Sequence, residues 1–392
     1  MKKQRRKICF VITSYIHYSR NLLILEELNR RDDVDLSVVL GGTALIAKYA
    51  SKHGTVRDLL KSEGCNKIYE IHFNLEGDST VVKAKTAGLG VVEFATLFNN
   101  IKPDLIIVRG DRFEVLSAAL AAAYMNIAIA HIEGGDISGT IDESVRHAIS
   151  KLAHLHFATN EDSYKRLLRM GENKRYVYMV GSPDVEVASK LAHPKSPIPD
   201  LKNTGSGAPF DLSGDFLMVM YHPVWTYSND LKLLSRRTKI LLETIHEMRL
   251  PTLWFWPNSD VGAEEIAHEL RRFDDQVKNH QIRFMRYVPP RIFLSLLSKT
   301  KCLVGNSSAG IKECSYLGVP VVNVGDRQFS RLRAHNVVDV PYDKEKIKAM
   351  LVRQIKKERY EPAAVYFQKN TSKTIARIAA TAPLYVQKSF HE

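Results

Sequence analysis

Two segments of the 392-residue sequence set carboxylates directly behind apolar runs. In Val108-Arg109-Gly110-Asp111-Arg112-Phe113 an apolar run ends, a glycine turns the chain and a helical pattern begins. A carboxylate and a guanidinium are thereby displayed at a strand's carboxyl end. Asp111 either transfers protons there or caps the following helix, since Asp is a favoured N-cap. Arg112, beside a helix N-terminus, suits a phosphate. The same arrangement recurs in His131-Ile132-Glu133-Gly134-Gly135-Asp136, where the glycine pair permits positive φ and close approach of a ligand. Downstream, Asp142, Arg146 and His147 are spaced to share the first turns of a helix. An acidic first turn favoured by the macrodipole accounts for Asp142 and Glu143 without any chemistry. It does not account for Glu133, which follows an apolar strand, where a charge costs most.

Two further segments follow predicted strands. Met220-Tyr221-His222-Pro223 puts an imidazole at a strand end with a proline behind it, either as a satisfied structural group or, given its strand-end position, as a functional one. Gly305-Asn306-Ser307-Ser308-Ala309-Gly310 combines glycines and hydroxyls at a helix start, a phosphate cradle built from N–H and O–H groups. It is neither a Walker motif nor GxGxxG, and Ser307 equally serves as an N-cap. Glu313, a helical turn further on, could accept ribose hydroxyls, and Arg327 adds a cation. No HExxH or other dense spacing of His, Cys and carboxylate occurs, so neither a metal nor another cofactor is expected.

Positioning these groups requires buried strands with helical crossovers, and the sequence alternates accordingly. Strands are predicted at 8–12, 35–40, 105–109, 127–132, 156–159 and 176–180, with helices at 21–31, 80–100, 113–125, 144–155 and 161–170. After a Pro/Gly-rich stretch the alternation restarts, with strands at 216–221, 252–256, 282–285, 302–304 and 319–324. The helices expected among them lie at 230–247, 263–274, 290–298 and 310–317. The organisation is an N-terminal Rossmann-like domain over residues 1–190, a linker over 191–213, a second Rossmann-like domain over 214–370, and a C-terminal helix in 371–392 returning towards the first. Two such α/β units facing a cleft would bind ligands at the carboxyl ends of their strands.

The length suits two or three domains at roughly 150 residues each. With 45% hydrophobic residues and 25% charged, collagenous and disordered classes fall away. Fifty-six Lys and Arg against 43 acidic residues give +13, favouring an anionic partner. The basic segment 344–360 lacks interleaved aromatics and reads as a solvated helical face, so nucleic acid is not the expected partner. Cys9, Cys65, Cys302 and Cys314 form no CxxC pair, which fits thiols in a reducing compartment. The longest mostly apolar stretch, 116–130, is too short to span a bilayer, and the basic N-terminus lacks a cleavage site, so no membrane association and a cytoplasmic location are expected.

In this order, the four segments resemble the hydrolysing UDP-N-acetylglucosamine 2-epimerases that begin sialic-acid-type biosynthesis. The likeness is densest in 131–154 and in Gly305-Asn-Ser-Ser308 through Gly325-Asp-Arg-Gln328. It is closer to the hydrolysing branch than to the non-hydrolysing one, whose corresponding segment reads Glu-Ala-Gly followed by Pro-Glu-Glu. The resemblance implies the glycosyltransferase-B architecture, α/β with two Rossmann-like domains facing a cleft. It implies a UDP-sugar as the partner and a homo-oligomer, dimer or tetramer. The implied reaction removes the C2 proton, eliminates UDP to a 2-acetamidoglucal and rehydrates it to N-acetylmannosamine.

By the same resemblance Asp111, Glu133 and Asp142 match acid/base carboxylates, and His222 matches a histidine at the diphosphate or leaving oxygen. Arg112, Ser307, Ser308 and Glu313 match positions that hold UDP, and Val288 a segment against uracil, with Asn258 and Asp260 nearby. Ser19, Arg146, His147 and Arg327 complete the expected substrate-binding set. The departure is Thr13-Ser-Tyr15-Ile-His17-Tyr-Ser-Arg20, where the family has Arg-Ala-Asp-Tyr or Arg-Ala-Glu-Tyr: Tyr15 replaces the arginine and His17 the acid. Arg20 and His17 either substitute for them, or the substrate or the activity has changed. The alternatives are the same reaction on a UDP-diacetamido-trideoxy sugar, a non-hydrolysing epimerase, a glycosyltransferase and a nucleotide-sugar binding protein.

Overall fold

The computed structural model describes residues 5–46, 54–77, 79–192, 201, 204–209, 214–224 and 230–392. The chain forms two compact units. The first comprises 1–137, 141–187 and 366–392, and the second 138–140 and 188–365.

In the first unit, strands β1 (Arg6–Ile12), β2 (Val34–Leu40), β3 (Ile68–Glu70), β4 (Leu105–Arg109), β5 (Ala128–Ile132), β6 (Leu155–Ala158) and β7 (Val177–Met179) make one parallel sheet. Their order is β3-β2-β1-β4-β5-β6-β7. Every residue of β4 and β5 is buried, which is why both read as apolar runs, interrupted only by Arg109 and His131, rather than alternating ones. Phe94, Phe98, Val115, Ala118, Ala122 and Ile149 from the helices at 80–101, 113–124 and 141–152 pack on one face of this sheet.

The second unit contains β8 (Ser206–Gly207), β9 (Leu217–Met220), β10 (Thr252–Phe255), β11 (Ile282–Met285), β12 (Cys302–Gly305), β13 (Val321–Val324) and β14 (Val337–Val340). Their order, β14-β13-β12-β9-β10-β11-β8, repeats that of the first sheet when counted from β9, except that β8 is an antiparallel edge. The core gathers Trp254, Leu241, Ile245, Ile266 and Leu270 against the strands.

Several elements depart from the sequence expectation. The first helix spans Tyr15–Asn29 and starts six residues early, because Ser14 caps it by accepting from the His17 N–H at 3.1 Å. Tyr15 and His17 are therefore first-turn residues. The helix expected over 310–317 is broken at Lys312 into Ser308–Ile311 and Glu313–Leu317. β3, β14 and the helix Pro183–Leu191 were not anticipated, the strands being too short and too exposed for a clear pattern. The expected linker holds β8, and its residues 193–200, 202–203 and 210–213 lie outside the described ones. Tyr366–Glu392 belongs to the first unit, where Ser372 donates its N–H and hydroxyl to Glu186 at 2.7 and 2.5 Å. Among the described residues no helix is long and apolar enough to cross a membrane.

Candidate functional site

In each sheet the strand order reverses at one point, between β1 and β4 and between β12 and β9. Loops leave such a point in opposite directions and leave room at the carboxyl ends. The residues singled out in the sequence lie at these ends or on the helices that follow them.

Arg109, the last residue of β4, is 1% exposed and organises the first unit's cluster. Its Nε donates to Glu133 Oε2 at 3.1 Å and its Nη2 to Glu133 Oε1 at 3.2 Å. Nη2 also bonds Asp184 Oδ1, and Nη1 donates to Asn21 Oδ1 at 3.2 Å. Burial opposes the charge of Arg109, but Asp184 and Glu133 outweigh it and raise the pKa. Glu133 follows β5 with φ 70°, a left-handed conformation uncommon outside glycine. Its N–H donates to Phe157 O at 3.0 Å, which holds the bend.

Asp111 forms an ion pair with Arg146, and Arg146 Nη1 donates to Asp136 O at 2.9 Å. The N-cap of the helix Phe113–Tyr124 is Arg112, so Asp111 does not cap it. Arg112 donates from Nε and Nη2 to the buried Glu114 at 3.1 and 2.8 Å. Asp142 and Glu143 open the helix Ile141–Leu152, which starts three residues before its expected bound. His147 lies 3.9 Å from Glu143, with its pKa lowered by burial and by Arg146. Asp136 accepts from Thr159 and Ser163 hydroxyls at 2.7 and 2.6 Å, a structural role. Gly135, beside it, has φ 77°, and a Cβ there would sit 2.4 Å from Ser163 O. Ser19 donates back to Ile16 O at 3.0 Å within its own helix.

His131 is wholly buried. Its Nε2–H donates to Gly110 O at 2.9 Å, so its Nδ1 accepts from the Ser150 hydroxyl at 3.1 Å. Burial brings its pKa down to about 4. His17 bonds Thr13 Oγ1 at 3.1 Å, and burial, then Arg112, Arg109 and Arg20, hold it well below the ordinary histidine range. His17 is thus neutral at pH 7 and does not supply the charge of the acid that the sequence resemblance implies at its position. Tyr15 is buried edge-on to Tyr18, with ring centroids 6.0 Å apart.

In the second unit His222 follows β9 and Asn306 follows β12. The Asn258 N–H donates to His222 Nδ1 at 3.2 Å, which leaves the proton of the neutral imidazole on Nε2. Asn258 Nδ2 also bonds Asp260, and Asp260 lies 3.6 Å from Arg327. Arg327 and Gln328 donate to Asn306 O at 3.2 and 2.9 Å. Ser307 accepts from the Ala309 N–H at 3.3 Å and is the N-cap of the short helix that starts at Ser308. Gly305 has φ 126°, and a Cβ there would fall 2.2 Å from Met220 O, so the strands approach only because the residue is glycine. Glu313 and Val288 are buried.

The first cluster thus offers carboxylates fixed on guanidiniums, suited to moving protons next to a developing charge. The second offers N–H, O–H and guanidinium donors, suited to an anion. Arg109, Asp184 and Asn306 were missed as site residues. A charged residue closing an otherwise apolar strand was the available signal for Arg109, and the Pro183-Asp184 pair opening a helix was that for Asp184. Among the described residues Glu265, His268 and Glu269 could hold a metal, but Glu269 already accepts from Ser235 at 2.6 Å and lies 3.5 Å from Lys239.

Residues 26–380 match the family model described as UDP-N-acetylglucosamine 2-epimerase. The chain is 31% identical over 382 residues, 97% of each chain, to a UDP-N,N'-diacetylbacillosamine 2-epimerase (hydrolyzing) of Legionella pneumophila. It is 30% identical to a UDP-N-acetylglucosamine 2-epimerase of Neisseria meningitidis serogroup B, over 83% of this chain and 81% of that one. A crystal structure of Methanocaldococcus jannaschii UDP-GlcNAc 2-epimerase in complex with UDP-GlcNAc and UDP superposes with a TM-score of 0.76 at 17% identity, covering 95% of this chain and 99% of that one. The shared fold is the two-unit, Rossmann-like glycosyltransferase-B type expected from the sequence.

Proposed function

Because the chain belongs to the UDP-N-acetylglucosamine 2-epimerase family, we propose that it is a hydrolysing 2-epimerase converting UDP-N-acetylglucosamine and water to N-acetylmannosamine and UDP. A carboxylate takes the C2 proton and the C1–O bond breaks with departure of UDP, leaving a 2-acetamidoglucal. Water then adds at C1 while C2 is protonated on the opposite face. The observation that carries this reading is the pair of carboxylates Glu133 and Asp111, each bound to its own buried arginine, Arg109 and Arg146.

Asp111, Glu133 and Asp142 share the proton transfers in this reading. His222 donates through Nε2–H to the leaving diphosphate oxygen, and the tautomer fixed by the Asn258 N–H supports that role. Ser307, Ser308, Arg327 and Arg112 hold phosphate oxygens, Glu313 the ribose, and Val288 with Asn258 the uracil. Ser19, Arg146 and His147 serve the sugar. The reaction needs no metal or cofactor, and the protein works as a cytoplasmic homo-oligomer.

A second reading replaces the substrate with a UDP-diacetamido-trideoxy sugar. The Legionella relative, matched over 97% of each chain, carries the name of such an activity and favours it. Proton NMR in deuterated water with each nucleotide sugar tests both. Free UDP with deuterium at C2 of the released sugar is expected. UDP-N-acetylmannosamine as the product would mean non-hydrolysing epimerisation, and turnover of the diacetamido substrate alone would move the assignment to it.

A further inference from the structure

The acid/base reading leaves unexplained why one buried guanidinium serves two carboxylates. Arg109 holds both oxygens of Glu133 through Nε and Nη2, and that same Nη2 is the donor to Asp184. A bidentate guanidinium fixes the plane of a carboxylate as well as its position, which an ammonium cannot do. Asp184 has a second cation near it, with Arg20 Nε 3.7 Å from its Oδ2. Arg109 thus bonds Glu133 and Asp184 together, and its field is divided between two anions.

The groups around Glu133 come from several elements. Arg109 closes β4, Arg112 follows it, and His131 lies on β5 itself. His17, Arg20 and Asn21 belong to the helix Tyr15–Asn29, and Asp184 to the helix Pro183–Leu191. Burial keeps His17 and His131 neutral at pH 7.

We propose that Arg109 is a positioning residue that holds Glu133 as an aimed carboxylate for proton abstraction, and that Asp184 weakens this hold by competing for the same guanidinium nitrogen. The inference rests on the acid/base reading of Glu133 and adds the two residues that control it. Two variants should then act in opposite directions. Arg109→Lys keeps the charge but loses the two-point contact, so Glu133 takes up a proton more readily and the acid limb of kcat moves to higher pH. Asp184→Asn removes the competing anion, so the acid limb moves to lower pH.

The experiment is the pH profile of kcat and KM for the intact protein and for Arg109→Lys, Asp184→Asn and Glu133→Gln, each verified as folded by circular dichroism. For Arg109→Lys a loss in kcat of about 10- to 100-fold is expected, with KM changed less than about threefold. Its acid limb should rise by about one pH unit, and that of Asp184→Asn should fall. Limbs unmoved, or moved in the same direction, would overturn the inference. If Arg109→Lys does not fold, Asp184→Asn decides alone: a lowered limb supports the competition, and an unmoved or raised limb refutes it. Full turnover by Glu133→Gln would instead sink the underlying acid/base reading. An inactive Glu133→Gln alongside unmoved limbs would leave that reading standing and remove only the role of Arg109.

Discussion

Asn306 and His222 bond each other twice in opposite senses. The His222 N–H donates to Asn306 Oδ1, and Asn306 Nδ2 donates to the His222 carbonyl, both at 2.8 Å. A side chain thus continues the ladder one step past Gly305 and Met220, where β12 and β9 end their pairing. The histidine's backbone is thus fixed separately from its imidazole, whose Nδ1 accepts from the Asn258 N–H.

Asn306→Ala leaves both His222 backbone groups without that partner, at a cost of about 1–3 kcal/mol per buried unsatisfied group. A lowered urea midpoint and weaker UDP binding by calorimetry are expected together. Asn306→Asp can accept but not donate, so it should fall between Ala and the parent. Unchanged UDP affinity in the alanine variant would separate the clamp from nucleotide binding.

The tautomer of His222 can be read directly. With Nδ1 accepting from Asn258, its nitrogen-15 resonance should be of the unprotonated, pyridine-like type and that of Nε2 of the protonated type at pH 7.5. The reverse pattern would exclude His222 as the donor to the leaving oxygen. His222→Ala should reduce turnover by about 10²–10⁴-fold, the usual contribution of a positioned proton donor.

His131 makes acid stability measurable. Unfolded, it takes up a proton near pH 6.5, whereas in the fold burial delays this to about pH 4. Protonation therefore favours the unfolded chain, and the contribution is present in full above about pH 6.5 and lost as pH falls to about 4. The loss is on the order of 3 kcal/mol by linkage, and buried His17 and His156, also lowered, act with the same sign. Urea unfolding at several pH values should show this fall, and His131→Asn should flatten it. An equal slope in that variant would mean that His131 is not held neutral.

Lys388, half-buried, pairs with the buried Glu172 at 2.6 Å, and Lys388 also donates to Ala153 O at 2.5 Å and Lys151 O at 2.8 Å. The tail thereby covers the carboxyl end of the helix whose first turn carries Asp142. Breaking a fully buried pair from one side costs about 3–5 kcal/mol, and the partial exposure of Lys388 together with Lys151, 2.8 Å from Glu172, reduces the cost here. Lys388→Met should lower the melting temperature more than the double variant Lys388→Met/Glu172→Gln does. Additive losses would show that the two residues do not interact.

What was legible in the sequence follows from local pattern. β4 and β5 are buried on both faces and therefore appear as apolar runs, and Glu133 stood out because a charge directly after such a run is costly. The partner that stabilises Glu133 was not legible: Arg109 lies 24 positions before it, and Asp184 lies 75 positions beyond Arg109, and only the sheet order brings them together. The same holds for Asn306 and His222, 84 positions apart. The early start of the first helix was a local signal, the Ser14 cap, obscured by the aromatic and β-branched residues that follow it. Its consequence is chemical, since His17 is drawn into the interior and kept neutral.

The first unit is interrupted in sequence by the second: residues 188–365 are synthesised before Tyr366–Glu392 can join it. Arg6, at the start of β1, donates to Ala379 O at 2.8 Å, and Thr371 donates to Val180 O at 2.6 Å. At ribosomal rates of about 5–20 residues per second, the first unit waits on the order of ten seconds or more while 188–365 are made, before its closing segment follows. The first unit thus cannot be closed until the second has been synthesised, and the helix that carries Asp184 gains its Ser372 contacts to Glu186 only then.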